Sequence, residues 1–392
     1  MNWKKCFHPL LQLLTIASLL LASPGSARAS ESDPWTYAHI PLADSAAAIN
    51  EQLSKSIKIV TDRVNAARQP DARTPGDTAL EFAFFAEYRA QFIRDYTWGM
   101  FERCIGSNNC ADWPQIERIQ MYPEESVYGA AEWRFIPAHF HLASIVNVCG
   151  VRMGADKLTH FFDDGFHYYN ALRSKRKKLE PEDIRQLSMV FELSYMGTRI
   201  TGIASRADIE ANLAGVQYYG ELFGGESPMV GRDLDGRLVM LRRPDICDYV
   251  TRQYDERILP NEYRFSLINT PRARERAREL SRIIQQRSAH SASLARELNP
   301  QELALETRKI LARRIPLTHW QTEFPRLRMV GLASGMATQW LFSNEFRQVS
   351  NLFGFNPLKP GKLKDRKPVT IKRVDFEVSG TWYQPGMAGY RT

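Results

Sequence analysis

Gly154-Ala155-Asp156-Lys157-Leu158-Thr159-His160-Phe161-Phe162-Asp163-Asp164-Gly165-Phe166-His167-Tyr168-Tyr169 is the stretch in which the fold and the chemistry of this chain meet. Read as a helix, it sets Asp156, His160, Asp163 and His167 at i, i+4, i+7 and i+11, a narrow stripe of two carboxylates and two imidazoles. Leu158, Phe161, Phe162, Phe166 and Tyr169 lie off that stripe and offer an apolar side for burial. The polar face of an amphipathic helix is ordinarily solvated, but such faces draw on Lys, Glu and Gln. Asp and His at this spacing suit acid–base work or a divalent ion held by His160, His167, Asp156 and Asp163.

Helical patterning continues on both sides of this stretch. Ile49, Leu53, Ile57, Val60 and Val64 recur at helical spacing between Ala43 and Arg68, and Asp77 opens a second helix reaching to about Met100, with Leu80, Phe84, Phe85, Tyr88 and Phe92 as its buried stripe. Pro123 to Arg134 reads as loop, and a helix is expected from about Ala138 to Val148. Pro181 suits the first turn of a helix running through Glu192 to about Met196. Ser205-Arg206-Ala207-Asp208 has the capping-box arrangement with Asp in place of Glu or Gln, so another helix begins near Arg206. On it Asp208, Asn212 and Gly215 share a face, and the missing side chain at Gly215 leaves room for a second helix to approach. Asp233-Leu234-Asp235-Gly236 ahead of Arg237 to Leu241 predicts a small hairpin. Pro271 to Ile315 reads as two helices, the second starting at Asn299-Pro300-Gln301-Glu302. The expected fold is mainly α, a single helical domain over residues 30–350 with a small β hairpin, followed at 351–392 by an irregular or β-containing appendage.

The N-terminus carries Lys4 and Lys5, an apolar run from Leu10 to Leu21, helix-breaking Pro24 and Gly25, and Ala27-Arg28-Ala29. These are the parts of a secretory signal, and they predict cleavage after Ala29. The apolar run is too short for a spanning helix, which needs roughly 20 residues. No later segment is long and apolar enough to cross a bilayer either. Removal of residues 1–29 lowers the formal charge from +8 to +5, too mild an excess to argue for nucleic acid. Cys104, Cys110, Cys149 and Cys247 then remain, and an even number in an exported chain suggests two disulfides. Cys104 and Cys110 would close the short loop Cys-Ile-Gly-Ser-Asn-Asn-Cys, which leaves Cys149 to pair with Cys247. Thiolate zinc sites usually show CxxC pairs, and none occurs here. The periplasm is the expected address, with release to the medium as the alternative.

Three segments taken in order, Asp156-Lys157-Leu158-Thr159-His160-Phe161, then Glu192, then Ser205-Arg206-Ala207-Asp208-Ile209-Glu210-Ala211-Asn212-Leu213-Ala214-Gly215, resemble the pattern of VanZ-like proteins. The resemblance covers about 60 of 392 residues and implies an envelope setting without implying a common activity. VanZ-like proteins are typically multi-pass membrane proteins, whereas this chain lacks their apolar spans. The Gln that the pattern places soon after the Glu is absent, with Tyr195 and Met196 in its neighbourhood, and the basic run Arg173 to Lys178 separates the first two segments.

Two functions fit these residues. In one, Asp156, Lys157, His160, Glu192, Asp208 and Asn212 form the centre of an exported hydrolase acting on an envelope lipid or glycan, by acid–base chemistry or with a divalent metal ion. In the other, the same residues form a hydrogen-bond network between helices in a non-catalytic scaffold or binding protein. Neither HExxH nor a G-x-S-x-G elbow occurs, and Gly331-Leu-Ala-Ser334-Gly335 has the wrong spacing for one.

Overall fold

The computed structural model describes residues 29–67, 77–93, 99–107, 110, 112–121, 124–131, 140–173, 179–192, 197, 201–263 and 271–311. The expected signal segment up to residue 28, the basic run 174–178, Tyr195 and Met196, the Gly331 to Gly335 segment and the C-terminal appendage lie outside these residues.

The molecule is mainly α. Ile49, Leu53, Ile57, Val60 and Val64 all lie buried along one face of α1 (Ala46–Ala66), as their spacing predicts. α2 (Asp77–Phe92) sets Phe84, Phe85 and Tyr88 against aromatic residues of two later helices, α6 (Gly165–Arg173) and α8 (Arg206–Phe223). Ring centroids of Phe85 and Tyr169 are 5.3 Å apart, and those of Tyr88 and Tyr219 are 5.8 Å apart. Each such ring contributes about 1.5–3 kcal/mol through burial alone, so this aromatic layer is the main core. The helix expected to reach Met100 ends at Phe92, and α3 (Met100–Ser107) follows as a separate element.

α6 and α8 cross where Gly165 meets Gly215. A Cβ on Gly165 would stand 2.7 Å from Gly215 Cα, and one on Gly215 would collide with the Phe161 carbonyl oxygen. The gap that the sequence predicts at Gly215 is therefore filled by another helix.

The helix expected from about Ala138 to Val148 does not form. Residues in that range make β2 (Phe140–Ala143) and β3 (Ile145–Val148). β-Branched Ile145, Val146 and Val148 favour a strand. The chain then reverses through Cys149 and Gly150, at φ +55° and +74°, into β4 (Val151–Gly154). Two successive left-handed residues make the tight turn of a hairpin, and Asp44 holds it by accepting from both of their amides, at 3.0 and 2.7 Å. β2 pairs in parallel with β1 (Ala29–Ser32). In the stretch expected to be loop, Val127–Ala130 makes a single-turn helix, α4, because Ser126 Oγ accepts from Tyr128 N.

The β3–β4 hairpin delivers the chain to α5 (Asp156–Thr159), a π turn (His160–Asp164) and then α6. α7 (Pro181–Phe191) opens with Pro181 in its first turn and a reciprocal cap between Glu180 and Asp183. β5 (Ile203–Ala204) leads into α8 and pairs with β8 (Glu262–Tyr263), while β6 (Val230–Arg232) and β7 (Leu238–Met240) form the predicted hairpin. α9 (Pro271–Glu297) and α10 (Pro300–Leu311) are the two expected helices, and Asn299 caps the second by accepting from Gln301 N and Glu302 N. The buried face of α9 covers a second apolar cluster that holds Trp35, Tyr128 and Tyr263.

Both expected disulfides are present, Cys104–Cys110 at an S–S distance of 1.98 Å and Cys149–Cys247 at 2.00 Å. They are compatible with an extracytoplasmic location. Among the described residues no helix is long and apolar enough to cross a membrane.

Candidate functional site

The three separated motif segments converge on one buried centre. Lys157, at the start of α5, is fully enclosed, and its Nζ lies 2.9 Å from Asp156 Oδ2, 2.6 Å from Asp208 Oδ1 and 2.6 Å from Glu256 Oε1. An ammonium has three protons, and three carboxylates surround it. His160 sits beside Lys157, with Nε2 at 2.9 Å from Asp208 Oδ2 and Nδ1 at 3.0 Å from Asp164 Oδ2. The oxygen of the Asn212 side chain is 3.2 Å from the same Nδ1. Its amide nitrogen donates to Ser188 Oγ, which fixes the oxygen toward the ring. Both imidazole nitrogens thus face acceptors, the arrangement of a doubly protonated, charged ring.

The capping box at Ser205 is half made. Ser205 Oγ accepts from Asp208 N at 3.3 Å, as its sequence predicts. The reciprocal bond comes from a different residue: Ser205 N donates to Glu192 Oε1 at 2.9 Å. With Glu192 in that role, the Asp208 carboxylate is free to bridge Lys157 and His160. Gly197 makes room for this, since a Cβ there would stand 2.5 Å from Glu192 Oε1. Ser205 Oγ also donates to Glu256 Oε1 at 2.9 Å, and Ser32 Oγ donates to Glu256 Oε2 at 2.7 Å. Glu31, from β1, accepts from Thr201 Oγ1 at 2.7 Å.

Electrostatics sort these carboxyls into two kinds. Burial opposes ionisation of Asp208, but the His160 and Lys157 charges on its two oxygens outweigh burial and hold it well below the usual carboxylate range. Asp156 goes the other way, to about 7, because burial and the nearby Asp208 charge outweigh the attraction of Lys157. Oδ1 of Asp156 and Oδ1 of Asp208 both lack a hydrogen bond, but Asp208 Oδ1 lies 2.6 Å from the Lys157 ammonium and Asp208 Oδ2 lies 2.9 Å from His160 Nε2. Burial and the charge of Asp208 push Glu192 up to about 8, and the same two causes, with Glu192 added, drive Glu31 well above its ordinary value. Burial works against the charges of Lys157 and His160, yet the surrounding carboxylates raise both groups well above their usual ranges.

The structure does not bring together the quartet of Asp156, His160, Asp163 and His167 as a metal set. The π turn rotates the residues after it out of the expected stripe, while Asp164, at i+4 from His160, faces the ring. Asp163 turns instead toward Thr159 and Gly99 at the start of α3. Among the described residues, Asp156, Asp208 and Glu256 are the acidic or imidazole groups close enough to share an ion. The Lys157 ammonium already contacts all three, and no nitrogen of His160 offers a lone pair in this arrangement.

Asp156, Lys157, His160, Glu192, Asp208 and Asn212 therefore all lie in one centre. Glu31, Asp164, Thr201 and Glu256 belong to it without being apparent from the motif pattern. Asp164 carried a signal, its i+4 spacing from His160. Glu256 lies in an irregular turn and Glu31 in a short strand, where no periodicity marks them. The centre meets the surface at one edge: the side chains of His160 and Asp164 are 12% and 23% exposed, against 3% or less for Glu31, Asp156, Lys157, Glu192, Asp208 and Glu256.

No protein-family model, curated protein or solved structure matches this chain.

Proposed function

We propose that this chain is an exported, disulfide-bonded protein of the cell envelope, a non-catalytic scaffold or binding protein whose motif residues form a buried ionic brace. One observation carries this reading: Lys157 donates to Asp156 and Glu256 and lies 2.6 Å from Asp208 Oδ1, and both nitrogens of His160 face the protein's own carboxylates. A general acid or base must present a proton or a lone pair to substrate. Here those positions are spent on joining α5, the π turn, α8 and the turn at Glu256, which fixes how the helices register. The signal-like N-terminus and the two disulfides support export, with the periplasm as the address and release to the medium as the alternative. The VanZ-like resemblance supports an envelope setting, the centre being what a chain without apolar spans retains of that pattern.

A hydrolase acting on an envelope lipid or glycan is the second reading. It is favoured by the exposed edge, where His160 and Asp164 reach solvent with ionised Asp208 behind them.

Replacing His160 with Ala in the purified protein separates the two. The brace predicts a loss of about 3 kcal/mol in unfolding free energy, the range for stranding a buried charge. It also predicts no stoichiometric metal in the parent protein. Unchanged stability, together with loss of a bound metal or of hydrolysis of envelope lipid or glycan, would establish the enzyme instead.

A further inference from the structure

The carboxyls of the centre outnumber its cations. Lys157 and His160 meet Asp156, Asp164, Asp208 and Glu256, which leaves Glu31 and Glu192 outside any ion pair among the described residues. Glu192 accepts from Ser205 N, whereas Glu31 Oε2 is buried without a hydrogen bond. Asp208 from α8, Glu192 from the end of α7 and Glu256 from the turn beyond β7 act on Glu31 with like charge. α4 faces it with the Tyr128 phenol, and β2 places uncharged Leu142 opposite it in register.

β1 holds this carboxyl firmly in place. Ser32 Oγ donates to Glu256 Oε2 at 2.7 Å, and the Ser32 carbonyl accepts from the Tyr128 hydroxyl at 2.8 Å. Gly154, at the end of β4, lets the strand approach, since a Cβ there would collide with Ser32 Cβ and Asp156 Oδ1. Beyond the strand Asp33 accepts from the amides of Trp35, Thr36 and Val127. Ser30 is therefore held one step from Glu31, and its own Oγ is also buried without a hydrogen bond. Both unpartnered atoms lie at the end of β1 where Ala27-Arg28-Ala29 predicts leader removal.

Hydrolysis of the Ala29–Ser30 peptide bond consumes one water. The new carboxylate leaves on Ala29 with the leader, and the amine left on Ser30 takes up a proton, since α-amino groups titrate near ~7.7–8.0. A neutral amide thereby becomes a cation with three donors, one residue from the carboxyl that lacks a counter-charge. Pairing with that charge lowers the cost of keeping an ionised carboxylate out of water.

We propose that the α-ammonium of Ser30, released by cleavage after Ala29, pairs with Glu31 as the third cation of the centre, so that the brace is completed only in the processed chain. This inference rests on reading the chain as exported and the centre as a brace. It ties full stability to leader removal, because the amide of an unprocessed chain carries no charge to offer Glu31.

Mass spectrometry of the protein recovered from an exporting host gives the first test. The chain should begin at Ser30, and any other first residue overturns the proposal. Urea unfolding near pH 6.5 then compares four forms, with the Ser30 amine free or acetylated and with Glu31 or Glu31→Gln. Acetylation should raise the unfolding constant about tenfold in the parent and less than about twofold in Glu31→Gln, the non-additivity of a direct pair. Equal effects in the two backgrounds, or no effect in the parent, overturn the pairing. Should Glu31→Gln not fold, titration of the Ser30 amine in the parent decides. A midpoint about one unit or more above the ordinary ~8 supports the pair, and a lower one overturns it. Turnover lost on His160→Ala would remove the brace reading while leaving the amine titration unchanged, so the two fail separately.

Discussion

Lys157 sits among three carboxylates inside the protein, so its removal leaves Asp156, Asp208 and Glu256 facing one another with only His160, on Asp208, as counter-charge. Lys157→Met is expected to cost about 3–5 kcal/mol, measured by urea unfolding near pH 7. A loss under about 1 kcal/mol would mean that the three carboxyls do not depend on the ammonium. Protonation states predict a contrast between two neighbouring acids. Glu192, pushed up to about 8, is mostly neutral at pH 7, and Gln can accept from Ser205 N as Glu192 does. Glu192→Gln should therefore change stability by less than about 1 kcal/mol. Asp208 is ionised between two cations, so Asp208→Asn should cost about 3 kcal/mol or more. Equal losses in the two variants would show that the two carboxyls share one protonation state.

At the level of elements, the crossing of α6 and α8 depends on two glycines whose backbones touch. Gly215→Ala would drive a methyl into the Phe161 carbonyl, a backbone atom that cannot rotate aside. It should lower stability by about 1–3 kcal/mol in a thermal melt, and an unchanged melt would mean the helices can part without cost. The disulfides differ in reach. Cys149 and Cys247 are 98 residues apart in sequence, whereas Cys104 and Cys110 are 6 apart. Chain entropy predicts that opening the long loop costs about 2 kcal/mol more than opening the short one. Paired Cys→Ser variants, compared by denaturant midpoint, read that difference directly.

Across the whole molecule, the centre makes stability fall as pH rises. Asp156 and Glu192 titrate near 7 and 8 in the folded state and near 4 when unfolded, so the folded chain retains protons that the unfolded chain gives up. Their stabilisation is complete below about pH 4, declines through neutrality and is gone above about pH 8. His160, raised by its carboxylates, adds stability that is full below about 6.5 and is lost as pH climbs through its folded value. Asp208 has the opposite sign: its contribution is present above about pH 4 and is lost only in strong acid. Greatest stability is expected near pH 5, with the melting temperature falling steadily toward pH 9. A flat or rising profile over that range would contradict the protonation pattern assigned to the centre.

Much of this organisation was legible in local patterns. Apolar spacing located α1 and α2, composition and the Asn299-Pro300 start located α9 and α10, Pro181 and Ser205 marked helix starts, and the four cysteines of the expected mature chain implied their own pairing. Gly215 announced a close approach, because a missing side chain on an otherwise bulky face has few other uses. Local rules fail where distant segments compete for the same groups. Ile145 to Val148 could have continued a helix until the Asp44-held turn and β4 offered a strand partner. The π turn took Asp163 and His167 off the stripe an ideal helix would give them while Asp164 kept its i+4 contact with His160, and the Tyr219 hydroxyl accompanies the turn by donating to Phe162 O. Asp208 reads as a capping residue because Glu192 and Glu256 are invisible from its own segment. The sequence by itself determined α1, the starts of α7, α8 and α10, the disulfides and six polar residues of the centre. Only the tertiary structure decided which carboxyls are charged, because ionisation depends on the burial and counter-charges that separate segments bring to within 3 Å of one another.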